Sequence, residues 1–123
     1  MEEKSKCFEN VKLWQKAHKF VLDIYKITKQ FPREELYGLT SQIRRASVSI
    51  TANFVEGFKK KSISDKARYY NIAQGSLNET KYYLRLVKDL EYYDTTELNN
   101  ELEEIAKMLE AYTNALFRNN NKI

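Results

Sequence analysis

The sequence predicts an all-α protein, arranged as an antiparallel up-down-up-down four-helix bundle. Its 123 residues include three glycines and one proline, which leaves little material for tight turns. Apolar residues recur at helical spacing in four successive segments joined by short connections. Short connections favour antiparallel neighbours, and such helices pack as a bundle. We expect one domain over residues 1–123, with frayed tails at 1–8 and 119–123.

The first helix is predicted from Val11 to about Gln30. Its apolar residues recur at alternating steps of three and four, and Pro32 ends the pattern because proline lacks a backbone donor. The predicted stripe and its flanks are Trp14, Ala17, Val21, Ile24, Thr28 and Phe31, with Leu13, Phe20, Leu22 and Ile27 beside them.

The second helix is predicted to begin between Glu34 and Thr40 and to run to about Lys60. It has no charged residue from Ala46 to Val55, and most of its circumference is small or apolar. A helix of this kind is normally buried on more than one side. Its stripe consists of Leu39, Ile43, Ala46, Ile50 and Phe54.

The third helix is predicted to start at a capping box of Ser62 and Asp65, or at Ser64, and to end near Tyr92. For the fourth helix, Asp94 and Glu97 have the same capping spacing. The fourth helix is expected to end near Arg118. The third helix has the stripe Tyr70, Ala73, Leu77, Thr80, Leu84 and Val87, widened by Ile72, Ser76, Tyr83 and Leu90. The stripe of the fourth helix is Leu98, Leu102, Ile105, Leu109, Tyr112 and Leu116.

Two glycines lie inside these helical patterns, Gly57 and Gly75. Glycine costs about 1 kcal/mol relative to alanine inside a helix, so close packing is the expected compensation at both positions. Alternatively, Gly57 ends the second helix early and leaves Phe58 to Lys61 in the connection.

The positive charge is distributed unevenly along the chain. The net charge is +4, but residues 1–88 hold 18 Lys and Arg against 9 Asp and Glu, whereas residues 89–123 hold 3 against 8. Basic surfaces attract polyanions, which makes nucleic acid the leading partner class. A solvated, solubilising surface is the alternative explanation.

Two groups of basic residues are candidate nucleic-acid contacts. One surrounds the second connection, and the other follows i, i+4, i+7 spacing along the third helix beside Tyr82, where an ordinary solvated face would look the same. The two groups are Lys59, Lys60, Lys61, Lys66 and Arg68, and then Lys81, Arg85 and Lys88.

Residues suited to catalysis or metal binding are few. Cys7 is the one cysteine, and we expect an inert thiol. His18, the one histidine, falls at the border of the first stripe, where a structural role is expected. Glu56 and Glu79 are the carboxylates of the least charged helix portions, and no Glu-x-x-His pair accompanies them. We therefore expect neither enzyme activity, nor a metal, nor a cofactor. The polar start and the lack of an apolar run of about 20 residues predict a cytoplasmic protein without a membrane span.

The segments "QIRRASVSITANFVEGF" and "YYNIAQGSLNETKYYL" resemble those of a known family. It comprises small bacterial four-helix bundle proteins encoded within intervening sequences of 23S ribosomal RNA genes. The resemblance extends from about Phe8 to Phe117. The matching positions are Gln42, Arg44, Arg45, Ala46, Ser49, Ile50, Asn53, Glu56 and Gly57, then Ala73, Gly75, Ser76, Leu77 and Glu79.

The resemblance implies an oligomeric ring, typically a homopentamer. The family is similar to the accessory variability determinant of diversity-generating retroelements, a basic pentameric barrel that binds nucleic acid and a reverse transcriptase. By this resemblance, Arg44, Arg45 and the other cations would face the surfaces or the channel of the ring. Part of the second helix would pack against another subunit, with the candidate residues Val48, Ser49, Ala52, Asn53 and Glu56.

Three short segments depart from the family pattern. Phe54 and Val55 stand where Ile-Ala is usual, Thr51 and Ala52 replace a frequent Pro-Ser or Pro-Ala, and the segment Leu90–Tyr92 lacks a common glycine. We expect these changes to alter subunit packing in detail and to leave the fold intact.

Two functions of different kinds are compatible with this pattern. The first is a non-enzymatic, oligomeric accessory protein that binds nucleic acid, with RNA favoured. The second is a protein-interaction scaffold, for example for a reverse transcriptase, whose basic charge is incidental. An enzyme ranks third, and a pocket enclosing His18 with Glu56 or Glu79 would favour it.

Overall fold

The fold is all-α, as predicted. A computed structural model describes residues 7–121, and side chains as far as 118. It has four α-helices, α1 (Lys12–Thr28), α2 (Leu39–Lys59), α3 (Ile63–Asp89) and α4 (Thr96–Asn121), with short 3-10 helices at Phe8–Asn10 and Arg33–Glu35 and no strand between residues 7 and 121. Of the expected frayed tails, residues 1–6 and 122–123 lie outside the described residues.

The helix core matches the predicted stripes in α2 and α3, where every stripe residue is buried. In α4, the first four stripe residues are buried and the last two are half-buried. In α1, the buried face differs from the predicted stripe. Leu13, Phe20 and Ile27, predicted as flanks, are buried, whereas Trp14 and Val21 of the predicted stripe are only half-buried. The buried face of α1 is therefore rotated towards residues that the sequence pattern treated as flanks.

The start of α2 is capped by a side chain that lies before its N-cap residue. Its N-cap residue, Gly38, has no side chain, and the carboxylate of Glu35 accepts the Leu39 N–H at 3.1 Å and the Tyr92 hydroxyl at 2.8 Å. The hydrogen bond from Leu39, and then that from Tyr92, lower the pKa of Glu35. One carboxylate thus joins the beginning of α2 to the segment after α3.

The starts of α3 and α4 differ in how well the sequence predicted them. Ser62 caps α3, because its hydroxyl accepts the Asp65 N–H at 3.0 Å. The capping box at Asp94 was wrong: α4 begins at Thr96, and Asp94 accepts both the N–H and the hydroxyl of Thr96 from outside the helix. The Thr95 hydroxyl donates instead to the Leu84 carbonyl at 3.1 Å, which ties this connection to α3.

The end of α3 is a Schellman motif with a non-glycine residue in the left-handed position. Glu91 has a φ of 63°. The Tyr92 N–H donates to the Val87 carbonyl at 3.1 Å, and the Glu91 N–H donates to the Lys88 carbonyl at 3.0 Å, which is the paired pattern of this motif. The helix consequently ends at Asp89. The sequence pattern suggested a later end, near Tyr92.

The helices pack in a closed cycle. Each helix contacts its neighbours in the chain, α1 also contacts α4, and the most extensive packing is between α2 and α3. The Phe54 ring of α2 stacks on Tyr70 of α3 with centroids 5.6 Å apart, and both rings meet the edge of Tyr112 from α4, at 5.3 and 5.7 Å. This aromatic cluster joins three helices at one level of the bundle.

Close packing explains Gly57 but not Gly75. A Cβ atom on Gly57 would lie 2.6 Å from Cε1 of Tyr70, and α2 continues past Gly57 to Lys59, so this glycine does not end the helix. Gly75 is exposed, and a Cβ atom there would meet nothing within 4 Å. The expectation of close packing at Gly75 is therefore wrong within one chain.

None of the helices in residues 7–121 has the length and hydropathy that crossing a bilayer requires.

We predict that Glu91→Gly stabilises the protein by about 1 kcal/mol, because glycine adopts a positive φ without the steric cost that a side chain incurs. The urea midpoint should rise with an unchanged m-value, at matched protein concentration. As the control, Asp89→Gly lies within the helix and should destabilise by about 1 kcal/mol. A lower midpoint for Glu91→Gly would contradict the motif.

We also predict opposite effects of alanine at the two helical glycines. Gly57→Ala forces a methyl group against the Tyr70 ring and should destabilise by about 1–3 kcal/mol. Gly75→Ala meets open space and should stabilise an isolated chain by up to about 1 kcal/mol. Urea unfolding of the two variants at the same low concentration measures the difference, and equal midpoints would refute the packing described for Gly57.

Candidate nucleic-acid interface and subunit-packing surface

Five predicted nucleic-acid contacts lie together where α2 ends and α3 begins. We call them the junction cluster, and they are Lys59, Lys60, Lys61, Lys66 and Arg68. Lys59, Lys61 and Arg68 are exposed. They lie together because α2 and α3 are joined by only a few residues, so the last turn of one and the first turns of the other share one end of the molecule.

Aromatic rings lie beneath these cations. The Lys60 ammonium is 5.3 Å and the Arg68 guanidinium 4.7 Å from the centroid of the Tyr69 ring. The ammonium groups of Lys59 and Lys66 lie over other rings, Phe8 and Phe58 respectively. A ring holds a cation by its quadrupole without neutralising its charge. The aromatic residues therefore position the cations while leaving their charge available to an anion.

Lys66 also has a structural role. Its ammonium donates to the Gly57 carbonyl at 3.2 Å and to the Phe58 carbonyl at 2.8 Å. These carbonyls belong to the last turn of α2, where a cation is favourable. Lys66 thus fixes the end of α2 against the beginning of α3.

Close ion pairs are few among Lys59, Lys60, Lys61 and Arg68. Between residues 7 and 121, one pair joins Lys60 to Glu56 at 3.9 Å, and the Glu56 side chain is 59% exposed. An exposed pair at this distance contributes little. The Glu9 carboxylate accepts from the Cys7 thiol at 2.7 Å. This hydrogen bond raises the pKa of Cys7 and lowers that of Glu9, which the nearby charge of Lys59 lowers further.

In the second candidate group, along α3, two of the three residues are paired with carboxylates. Lys81 lies 2.6 Å from Glu103 of α4, and Arg85 Nε donates to both oxygens of Asp89, at 3.0 and 3.2 Å. The Lys81 hydrogen bond lowers the pKa of Glu103. We call Lys81, Arg85 and Lys88 the α3 ridge. Carboxylates therefore compensate more of the positive charge of the α3 ridge than of the junction cluster.

The two family-pattern arginines lie away from the junction cluster. Arg44 Nε donates to the Thr28 hydroxyl at 2.8 Å, and its guanidinium lies 4.6 Å from the centroid of the Tyr25 ring. Arg44 therefore connects α2 to the end of α1. Arg45 is exposed.

The predicted subunit-packing residues divide into two groups. Ser49 and Asn53 act within the chain: the Ser49 and Ser76 hydroxyls are 2.7 Å apart, and the Asn53 amide donates to the Ser49 carbonyl at 2.9 Å. In contrast, Ala52 is exposed and Val48 is 39% exposed. Glu56 is exposed too, so in one chain it is a surface carboxylate.

An apolar surface of α3 continues this exposed part of α2. Ile72 is 42% exposed, and Gly75 presents bare backbone. The Ser49–Ser76 hydrogen bond brings the neighbouring turns of the two helices to one level. We call Val48, Ala52, Ile72 and Gly75 the outer face. The sequence pattern placed Ile72 beside the buried α3 stripe, and this was wrong, because Ile72 is exposed on the outer face.

The residues considered for an enzyme site remain apart. His18 is exposed and stacks on the Trp14 indole, with centroids 4.7 Å apart and planes 9° apart. Glu79 is exposed and accepts the Tyr83 hydroxyl at 3.0 Å. No group of three or more His, Cys, Asp or Glu side chains suited to a metal ion occurs between residues 7 and 121.

Comparison with known proteins identifies the family. One solved crystal structure is that of a protein with unknown function from the S23 ribosomal protein family of Bacteroides thetaiotaomicron VPI-5482. It is 30% identical, covers 82% of this chain and 97% of its own, and has a TM-score of 0.76. No curated protein matches the chain. The family model of the 23S rRNA-intervening sequence protein matches residues 9–111. The resemblance seen in the sequence is thus confirmed, and the chain belongs to the 23S rRNA-intervening sequence protein family.

Proposed function

We propose that this chain is a non-enzymatic subunit of a ring-shaped homopentamer that binds RNA at the junction cluster, as an accessory of a ribonucleoprotein. The single observation that carries the proposal is the contrast in charge compensation. Among the described residues, Lys59, Lys60, Lys61 and Arg68 of the junction cluster have one long ion pair and three of them lie over aromatic rings, whereas Lys81 and Arg85 of the α3 ridge are held by carboxylates. A polyanion gains most where cations are not already neutralised.

The proposal includes an up-down-up-down arrangement of the helices. Between α2 and α3, Ser49 lies beside Ser76, and Phe54 lies beside Tyr70, so position numbers rise in one helix as they fall in the other. Between α1 and α4, Lys16 pairs with Glu104, and Lys19 lies 3.8 Å from Glu101. Both sets of contacts support antiparallel neighbours.

The outer face supports assembly with further copies. Exposed Val48 and Ile72 give it apolar area, and Ala52 with Gly75 allows a second helix to approach closely. Gly75 costs helix stability that nothing within one chain compensates. Contact with another subunit at this face would supply the compensation.

RNA is the polyanion to test first. The family is named for an intervening sequence of 23S rRNA, and the similar crystal structure for the S23 ribosomal protein family. Lysines neutralise phosphates irrespective of sequence, and aromatic rings beside them, such as the half-buried Tyr69, suit unpaired bases. These properties favour a single-stranded segment over a duplex.

A protein-interaction scaffold, for example for a reverse transcriptase, is the second candidate function. The apolar outer face favours it, because the same surface could receive a helix of a different protein. Binding through phosphates weakens steeply with added salt, whereas an apolar protein interface does not. A salt titration of the purified complex therefore separates the two functions.

We predict that Ala52→Glu disrupts the oligomer, because it introduces a charge into a contact between small residues. The matched control is Ala111→Glu, which makes the same change at an exposed alanine of α4. Sedimentation velocity should show the wild-type mass for the control and the monomer mass for Ala52→Glu. If both variants retain the full assembly, the outer face is not the subunit interface.

We predict that changing Lys59, Lys60 and Lys61 together to Gln weakens RNA binding and its salt dependence. Each lost phosphate contact lowers the slope of log K against log salt by about 0.7, so the slope should fall by about 2. The control changes the α3 ridge (Lys81, Arg85 and Lys88) to Gln, which removes the same charge. Fluorescence anisotropy measures both variants, and a greater effect of the control would move the site to the ridge.

A further inference from the structure

A groove between α3 and α4 adjoins the junction cluster. Its volume is about 470 Å³, within the range of small-molecule sites. Arg68 belongs to both features, because it lines the groove and its guanidinium lies on the Tyr69 ring beside Lys60. An anion on the cluster and a group in the groove would therefore be close enough to belong to one ligand.

One residue of the groove lining, Tyr70, carries a hydroxyl that makes no hydrogen bond with any described residue. Tyr70 is 1% exposed. In the described part of the chain, only Thr51 Oγ1 is fully enclosed without a hydrogen bond, so the unbonded Tyr70 hydroxyl is not sealed from solvent. A nearly buried hydroxyl left without a partner costs free energy. Burial raises the pKa of Tyr70, which keeps this hydroxyl protonated and able to donate.

The remaining lining suits a flat, polar aromatic group. Phe117 is 44% exposed and offers a ring face for stacking. Three amide side chains, each able to donate and to accept, line the same groove: Asn71, Gln74 and Asn114. Stacking on an aromatic ring combined with hydrogen bonds to the edge is how proteins bind single unpaired bases.

The charges of the groove argue against a phosphate inside it. Glu110 lines the groove together with Arg68, so its lining has one carboxylate and one guanidinium. The carboxylate repels a phosphate but accepts hydrogen bonds from the amino group of a base. Phosphates are therefore favoured on the junction cluster, and a neutral base is favoured in the groove.

We propose that the groove receives one unpaired nucleobase of a single-stranded RNA whose phosphates lie on the junction cluster. This inference rests on the function proposed above and specifies how the RNA is held. It requires Phe117 for stacking and the Tyr70 hydroxyl as a donor to the base edge. The groove would adjoin only a short stretch of the RNA backbone that lies on the junction cluster. One base would therefore be bound, and the neighbouring bases would stay in solvent.

The test compares a labelled oligoadenylate of about 12 nucleotides with an abasic chain of the same length. Wild-type protein should bind the intact chain about tenfold more tightly, the gain expected of one stacked base. Phe117→Ala should remove most of this difference, and Tyr70→Phe should reduce affinity for the intact chain about fivefold. Neither variant should change affinity for the abasic chain, which also shows that the variant is folded.

Tyr37→Ala is the control, because Tyr37 is a 91% exposed aromatic residue that does not line the groove. It should bind both chains like wild type. If wild type binds intact and abasic chains equally, the base site is refuted while phosphate binding at the junction cluster stands. A groove covered by a second copy of the chain would give that same result. If neither chain binds, the proposed function fails and this inference fails with it.

Discussion

The contact between Gly57 and Tyr70 is the constraint on which the rest of the structure depends. The Tyr70 ring occupies the space that a Cβ atom of residue 57 would need, so α2 and α3 approach as closely as backbone and ring allow. The same ring stacks on Phe54 and meets Tyr112, which fixes α4 at this level. Because the contact lies in the last turn of α2, it determines where the junction cluster projects. It also makes Tyr70 the shared wall between the core and the α3–α4 groove.

Periodicity predicted the helices best where apolar residues leave one choice of face. In α3, polar residues separate the stripe positions, and all six stripe residues are buried, although Ile72 and Leu90, expected to widen the stripe, are exposed. In α1, apolar residues such as Leu22 also occur off the buried face, so two overlapping stripes fit the pattern and the sequence favoured the wrong one. The end of α3 was not predictable from local signals. Glu91 has no preference for a positive φ, and Tyr92 is held by tertiary contacts with Phe31 and Glu35.

The candidate site was predictable as a set of cations but not as a set of available charges. Sequence places Lys81 on a helix face without showing that Glu103, on another helix, pairs with it. Likewise, nothing local to Arg44 indicates the Thr28 hydroxyl that it binds. The surroundings of the junction cluster distinguish its cations. The Tyr69 ring lies under Lys60 and Arg68, and the ion pair between Lys60 and Glu56 is long. That difference depends on tertiary contacts, which residue spacing does not encode.

Assembly and RNA binding reinforce each other in the proposed ring. A rotation axis repeats every subunit in the same orientation, so all copies of the junction cluster lie at one end of the assembly. Once one cluster holds an RNA, the others meet the same strand at a high effective concentration. A few exposed lysines, too weak alone to hold RNA at physiological salt, then act together. In that proposed ring, the exposed glycine at position 75, unfavourable in one chain, would allow the close approach of subunits on which this repetition depends.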